Sequence, residues 1–582
     1  MRKRLYIALS DMKKIQVSRL IGCGLLTIGM PALAFDLEIE GLKGELDTNV
    51  SAYLSAIDPS EYSTSLRFQS RLEDNIIKAL KALGHYQPDI SFVAAEDGQS
   101  LTVNVDPGPL VTIRISDLVI SGEAATDPDF IKLREGSKLG VGDPLNHANY
   151  EAYKSSLRNL ALRKGYFDGE FGQTKLEVAP EHKQAFVTIE FDSGQRYYFG
   201  DVQIFGSQIR ESRVKSLVPF EAGEPYLASK IGELNQSLSN TEWFSSVHVE
   251  PELSYIGKQR ELPMNINLAP QSENQIETGL GYSTDIGFRG KLSWKKPWLN
   301  DRGHSLHSSL SLSLPEQAIT ASYKIPLEDV LREYYEIQYG MKRTDKDETK
   351  SLEHNLAVKR HWKLDSGWQR TASIRFLYDD SEERGESRIS KFVLPGFTFS
   401  RARVRGGAMP MWGDKHLLTV EAGNESLLSD TGILRLQGRT AIVRSIGENH
   451  RGLARFDAGG VFAGDFDKVP RSLRFFAGGD NSIRGYGYED IPATQPEDKF
   501  SGGKYLAVSS LEYQFRVYGN WWLATFVDYG DAWTDKPDWK TGVGVGVRWA
   551  SPVGPIRLDF AKGLNQESGD QFKIHFTLGP EL

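Results

Sequence analysis

At about Gln275 the chain changes its hydrophobic period, and this change limits what each part can fold into. Beyond that point apolar residues alternate every second position. Leu306, Leu310, Leu312 and Leu314 interleave with Ser305, His307, Ser309, Ser311 and Ser313. Val543, Val545, Val547 and Trp549 interleave with Gly542, Gly544, Gly546 and Arg548, and Phe572, Ile574, Phe576 and Leu578 with Lys573, His575 and Thr577. Strand side chains point alternately to opposite faces, so each run offers one apolar face and one polar or glycine face. A soluble two-sheet protein and a membrane barrel with a wet lumen both show this pattern. Ten of the 11 tryptophans lie in this half, which favours a barrel with aromatic belts at its interfaces. At roughly ten residues per strand plus turns, the segment accommodates about 16 antiparallel strands, and an edge left open in lipid would be costly, so the sheet should close.

From Phe35 to about Pro270 the period is helical and a motif recurs three times. Each copy has an amphipathic helix, an aromatic turn and alternating strands. Leu72, Ile76, Ala79, Leu80 and Leu83 share one helical face ahead of Gly84-His85-Tyr86. Tyr150, Tyr153, Leu157, Leu160 and Ala161 do so ahead of Gly165-Tyr166-Phe167, and Leu227, Ile231, Leu234 and Leu238 ahead of Trp243-Phe244. Strand pairs are expected between Leu101–Val105 and Val111–Ile113, and between Phe186–Phe191 and Tyr197–Phe199. The reading is a small α+β module in tandem, with one large α+β domain as the competing view. The expected boundaries are 35–115, 116–196 and 197–270, with the barrel at 271–582.

The N-terminus reads as a secretory signal. Basic residues (Arg2, Lys3, Arg4, Lys13, Lys14, Arg19) precede an apolar stretch from Leu20 to Met30, and a small-x-small site ends at Ala34. Met12 is an alternative start. Cys23 is the single cysteine, so the exported chain has no disulfide and no cysteine-ligated metal. Residues 1–34 carry six basic and one acidic side chain, so the formal charge of −8 becomes −13 for the remainder. An acidic exported protein is a poor nucleic-acid binder. No later segment approaches 18 consecutive apolar residues, so any membrane crossing must be made by strands.

Ile483-Arg484-Gly485-Tyr486 lies late in the alternating half, and two carboxylates follow it. In Leu511–Val517 the odd positions are apolar, which leaves Glu512 on the polar face. By the same parity Trp521, Leu523, Val527 and Tyr529 face out while Asp528 faces in. An arginine on a glycine-flanked turn could enter a polar interior and meet both acids; a surface turn with unrelated charges is the alternative.

Three α+β repeats ahead of a barrel, together with Phe475 through Tyr486, Val543 through Pro555 and the terminal Leu578-Gly579-Pro580-Glu581-Leu582, resemble the BamA/TamA superfamily of POTRA-plus-barrel assembly proteins. The count of three repeats resembles the TamA type within it. The terminal Leu582 departs from the aromatic last residue common in barrel clients. The resemblance implies three periplasmic POTRA domains and a loop folded into the lumen of an outer-membrane barrel. In that loop Arg484, with Gly485 and Tyr486, would contact the inner-wall acids Glu512 and Asp528. Gly542, Gly544 and Gly546 on the inner face would admit a loop backbone.

It further implies a non-enzymatic insertase that assembles barrel proteins, autotransporters especially, into the Gram-negative outer membrane. Its implied partners are a TamB-like inner-membrane-anchored protein, unfolded outer-membrane clients and outer-membrane lipid, with no cofactor. The first strand (Ile276, Gly279, Leu280, Gly281, Tyr282) is expected to pair with the last (Gln571 to Leu578, including Phe572, Ile574 and Phe576). A seam opening there would offer a strand edge to a client. Phospholipid transport with the same partner is the alternative role, and a passive porin or two-partner secretion pore a lesser one. For catalysis, the histidines are scattered, His304 and His307 have opposite strand parity, and Gly542–Gly546 precedes no helix.

Overall fold

The computed structural model describes residues 35–254, 260–346, 348–407, 409–492, 501–551, 554–565 and 572–579. The expected signal segment, Gln571 and the terminal Pro580-Glu581-Leu582 lie outside these residues. The chain forms two compact units: the first two repeats make one, and the third repeat with the barrel makes the other.

Each repeat is a strand, two helices and two more strands. The first has β1 (Asp36–Glu40), α1 (Glu45–Leu54), α2 (Leu66–Ala82), β2 (Asp89–Ala94) and β3 (Ser100–Asp106). The second has β4 (Thr112–Ser121), α3 (Pro128–Glu135), α4 (His147–Lys164), β5 (Glu170–Ala179) and β6 (Gln184–Asp192). The third has β7 (Tyr198–Phe205), α5 (Glu211–Lys215), α6 (Ala228–Asn240), β8 (Phe244–Pro251) and β9 (Glu261–Pro270). The last strand of each repeat is central, parallel to the first and antiparallel to the second.

This topology corrects the expected strand pairs. β3 pairs with β1 and β2, whereas Val111–Ile113 leads into β4 of the next sheet; likewise Tyr197–Phe199 leads into β7. The physical reason is chain reversal. Leu101–Val105 already has both edges occupied, so the strand that follows must open a new sheet. The helices carry the predicted faces. α2 buries Phe68, Leu72, Ile76, Ala79 and Leu80 against Leu101, Val103 and Val105, and Ser65 Oγ caps it by accepting from the Phe68 N–H at 3.4 Å. Full burial of each large side chain is worth about 1.5–3 kcal/mol, so Leu72→Ala would cost about 2–5 kcal/mol. The extra helices α1, α3 and α5 escape the periodicity because they bury at most two apolar residues each.

The barrel comprises β10 (Gln275–Ser283), β11 (Gly287–Lys296), β12 (Ser305–Ser313), β13 (Glu316–Pro326), β14 (Glu333–Lys346), β15 (Thr349–Lys363), β16 (Gln369–Glu383) and β17 (Glu386–Arg405). It continues with β18 (Trp412–Gly423), β19 (Ile433–Ile446), β20 (His450–Ala463), β21 (Tyr505–Tyr518), β22 (Trp521–Trp533), β23 (Lys540–Ser551), β24 (Gly554–Gly563) and β25 (Phe572–Leu578). These 16 described strands pair antiparallel in sequence order and close. Leu511, Tyr513, Phe515, Trp521, Leu523 and Val527 are exposed on the outer face, while Glu512 and Asp528 are buried on the inner one. Strand length varies around the wall, from 20 residues in β17 to seven in β25 and nine in β10.

The lumen is not uniformly wet. The segment between β20 and β21 folds inward, and its Leu473, Phe475, Ile483, Tyr486 and Ile491 form an apolar core with Leu377, Phe392, Leu394, Leu506 and Val508 of the wall. Where the loop packs, inward positions are apolar because another part of the chain, not water, covers them.

The third repeat is tied to one end of the barrel. Trp243 Nε1 donates to the Gly303 carbonyl at 3.2 Å in the β11–β12 turn, where a Cβ on Gly303 would collide with the indole. Arg210 pairs with Asp301 at 2.5 Å, Lys295 with Glu242 at 2.5 Å, and Arg213 donates to the Leu327 carbonyl in the β13–β14 turn.

Candidate functional site: a lumen loop on the inner wall and the seam

Gly478, Gly479 and Gly485 take φ values of +100°, +98° and +92°, a region open chiefly to glycine. They let the loop double back so that Arg484 enters the wall. The Arg484 guanidinium grips Asp528 in a bidentate pair, Nε to Oδ2 at 2.8 Å and Nη2 to Oδ1 at 2.9 Å, and its backbone N–H donates to Oδ2 at 3.0 Å. Nη1 donates to Glu512 at 2.7 Å and to Asp559 at 3.3 Å, and Nη2 to Ser510 Oγ at 3.3 Å. The guanidinium carbon lies 3.4 Å from the Phe526 ring centroid.

Arg484, Glu512 and Asp528 are thus brought together, and the network is wider than the sequence suggested. Arg548 donates to Glu512 at 2.8 Å and to Asp559 at 2.6 Å, and Gln514 also holds Glu512 at 2.7 Å. Arg455 joins through Ser510 at 3.3 Å. Three arginines therefore face three carboxylates. A buried charge of either sign is expensive unless paired and hydrogen-bonded, and here the signs balance. Arg548 and Asp559 are polar positions inside apolar strands, so inner-face parity was the signal that could have found them.

Of the three inner-face glycines, only Gly542 meets the loop: a Cβ there would collide with the Arg484 carbonyl oxygen. Gly544 instead leaves space for the Phe526 ring, and Gly546 for the Asp559–Arg548 pair. The expectation of backbone approach is corrected for these two, because side chains that serve Arg484 already fill the space. Gly485 abuts Lys562 and Gly563 of β24, and the Tyr486 hydroxyl accepts from the Asn565 N–H at 3.3 Å.

The seam departs from expectation. β10 and β25 face each other at one described pair, Ser283 and Thr577, extended by the Thr284 N–H donating to the Phe576 carbonyl at 3.1 Å. Antiparallel strands run in opposite directions from such a pair, so Phe572, Ile574 and Phe576 face positions beyond Ser283 and do not pair with Ile276, Gly279, Leu280 and Gly281. The physical reason is stagger between two short strands. Leu280 is 91 % exposed and Phe572 71 %, on opposite sides of the join.

A loop residue absent from the sequence reading spans this join. Asp480 accepts from Thr284 Oγ1 at 2.7 Å, beside β10, and from Thr577 Oγ1 at 3.4 Å on β25. It also pairs with His575 Nδ1 at 2.6 Å, while its N–H donates to Asp285 at 2.8 Å. The other ring nitrogen of His575 accepts from the Gly485 N–H at 3.0 Å. Asp285, Asp480 and His575 offer ligating atoms within 4.8 Å of one another, and all three residues are engaged in these hydrogen bonds.

A profile described as the Omp85 superfamily domain matches residues 272–581, more than half of the chain. The chain belongs to the Omp85 superfamily. A profile described as POTRA domain TamA domain 1 matches residues 36–107, and one described as surface antigen variable number repeat matches 113–194 and 197–271. The outer membrane assembly factor BamA of Nitratidesulfovibrio vulgaris is 25 % identical over 449 residues, covering 71 % of this chain and 55 % of its own length. That of Neorickettsia risticii is 22 % identical over 527 residues, covering 82 % and 67 %. The chain therefore spans about half to two-thirds of the curated relatives it matches. The crystal structure of Haemophilus ducreyi BamA lacking POTRA domains 1–3 superposes with a TM-score of 0.68 at 15 % identity, covering 80 % of this chain and 99 % of that one, a likeness of fold. As an Omp85 barrel preceded by POTRA domains, the protein resides in the Gram-negative outer membrane with its repeats in the periplasm.

Proposed function

We propose that the chain is an outer-membrane insertase whose seam admits client β-strands and whose lumen loop holds that seam shut between cycles. The observation that carries this reading is the seam itself. Adjacent wall strands elsewhere share seven or more facing pairs, whereas β10 and β25 share one among the described residues. An exposed strand edge templates another strand through its unpaired N–H and C=O groups. The described residues of β25 span roughly 18 Å at the usual rise and tilt, and a strand that falls short of the roughly 25 Å hydrocarbon band would thin the lipid beside the seam.

The profile match of the first repeat supports a TamA-type assignment. On that reading the first repeat is the dock for a TamB-like inner-membrane-anchored partner, and autotransporters are among the clients. The discriminating experiment is a Ser283→Cys/Thr577→Cys pair in full-length protein reconstituted in vesicles. Oxidation should stop insertion of an unfolded barrel client and reduction should restore it. Full insertion with the seam locked sinks the gate, and loss of phospholipid transfer without loss of insertion favours the lipid role.

A further inference from the structure

The outer face of the barrel carries a cationic site on the rim shared with the third repeat. On β17 the outward row reads Ile389, Lys391, Val393, Pro395, Phe397, Phe399, Arg401, Arg403, Arg405. Ile389 and Phe399 are exposed, whereas Phe392 and Leu394, of opposite parity, are buried in the lumen core. Ten residues separate Lys391 from Arg401, and at a rise of about 3.3 Å and a tilt of about 40° they cover roughly 25 Å, the height of a barrel's apolar band. Antiparallel strands return every second turn to the same end, so the β17–β18 turn shares the rim where Asp301 and Leu327 meet the third repeat. Arg401, Arg403 and Arg405 therefore stand at the headgroup level of the periplasm-facing leaflet.

The arginines are set on tryptophans. Arg403, Arg405 and Arg444 lie 5.3, 4.8 and 4.6 Å from the Trp412 ring centroid, and Arg401 lies 4.7 Å from that of Trp368. Asp414 is the carboxylate among them. Arg403 grips it in a bidentate pair at 3.0 and 2.8 Å, Arg444 reaches it at 3.5 Å and Arg401 at 3.7 Å, with His416 at 3.4 Å. Three guanidinium groups thus share one carboxylate, and a fourth, that of Arg405, lies on the Trp412 ring beside them. Among the described residues Arg401 Nε has no hydrogen-bond partner. Arg405 touches the Trp412 ring and leaves Asp414 to the other three arginines.

We propose that Arg401, Arg403, Arg405 and Arg444, arrayed on Trp368 and Trp412, bind the phosphate of an anionic phospholipid headgroup in the periplasm-facing leaflet. The planar guanidinium fork matches two phosphate oxygens, and tryptophan sits favourably at this depth. The excess positive charge is oriented toward lipid, where the anions at hand are headgroups, and such juxtamembrane clusters attract anionic lipid.

The test is native mass spectrometry of the detergent-purified full-length protein, titrated with phosphatidylglycerol, phosphatidylcholine and, separately, inorganic phosphate. Wild type should retain phosphatidylglycerol over phosphatidylcholine. Arg403→Gln/Arg405→Gln should retain it about tenfold less, as expected for losing charge-assisted hydrogen bonds, with the lysine pair intermediate. Arg405→Gln alone gives the same direction should the double variant fail to fold, because it leaves the Asp414 ion pairs in place. Equal retention by wild type and Arg405→Gln overturns the proposal, and so does displacement of the lipid by millimolar-scale inorganic phosphate, which would mark a free-anion site.

Discussion

Asp480 and His575 pair at 2.6 Å across the boundary between the lumen loop and the last strand. The same carboxylate holds Thr284 beyond the first strand, so one loop residue bridges both sides of a join that has one facing pair among the described residues. The loop is thereby part of the wall. Withdrawing the loop would remove the Asp480 hydrogen bonds from both sides of the seam.

Asp480→Ala should loosen the seam without unfolding the rest of the barrel. Hydrogen bonds to a charged group contribute about 1.5–3 kcal/mol each, and Asp480 accepts three from side chains. Backbone hydrogen exchange at Thr284 and Phe576 should accelerate markedly, while β14–β16 remains protected. Unchanged exchange at those two amides would show that the strands hold together without the loop.

Arg484→Ala removes the central cation and, among the described residues, the one guanidinium that ion-pairs with Asp528. Breaking one partner of a buried ion network costs about 3–5 kcal/mol, so the heat-modifiable transition should fall well below that of wild type. Arg484→Lys keeps the charge but cannot reproduce the fork on Asp528, and should lie between the two. A variant with Ala that keeps its full transition temperature would remove the loop's anchoring role.

Much of this architecture is legible in the sequence. Period and parity alone distinguish outward Leu511 and Val527 from inward Glu512 and Asp528, because lipid and lumen make opposite demands on alternate residues. What stayed hidden depends on three-dimensional register. The stagger that leaves Ser283 facing Thr577 has no local signature, and Asp480 reads as one more turn residue until the loop is threaded inside. The central place of β3 and β6 was likewise invisible, since a parallel partner 64 or 71–72 residues upstream leaves no mark on the strand itself. Leu377 and Phe392 look out of place in a wet lumen, and make sense once the loop covers them.

Gly542→Ala should mimic the loss of Arg484 by a different route. Its new methyl group would overlap the Arg484 carbonyl oxygen, which belongs to backbone and cannot rotate away. The loop must then lift, exposing residues 471–491 to added protease on the outer surface of intact cells. The informative control is a substitution on the outer row of the same strand, Val543→Ala, which should leave the loop protected. Equal protease resistance in both variants would mean the wall yields instead of the loop.

Tyr153 offers a test of the second repeat that is independent of the barrel. Its hydroxyl is buried and meets no hydrogen-bond partner among the described residues. Burial pushes its pKa up to about 12, against a smaller opposing effect of the Arg134 charge. In this repeat the neutral phenol is favoured, so the folded form holds its proton to higher pH than the unfolded chain does. Stability is therefore complete below the unfolded value near 10 and declines as pH rises through the folded value. Tyr153→Phe removes both the unsatisfied hydroxyl and the titration. Removing an unsatisfied buried polar group gains up to about 1–3 kcal/mol, so the variant should resist denaturant better at neutral pH and lose the decline between about pH 10 and 12 that this residue contributes. A variant less stable than wild type would mean that the hydroxyl does have a partner in solution, an ordered water being the simplest.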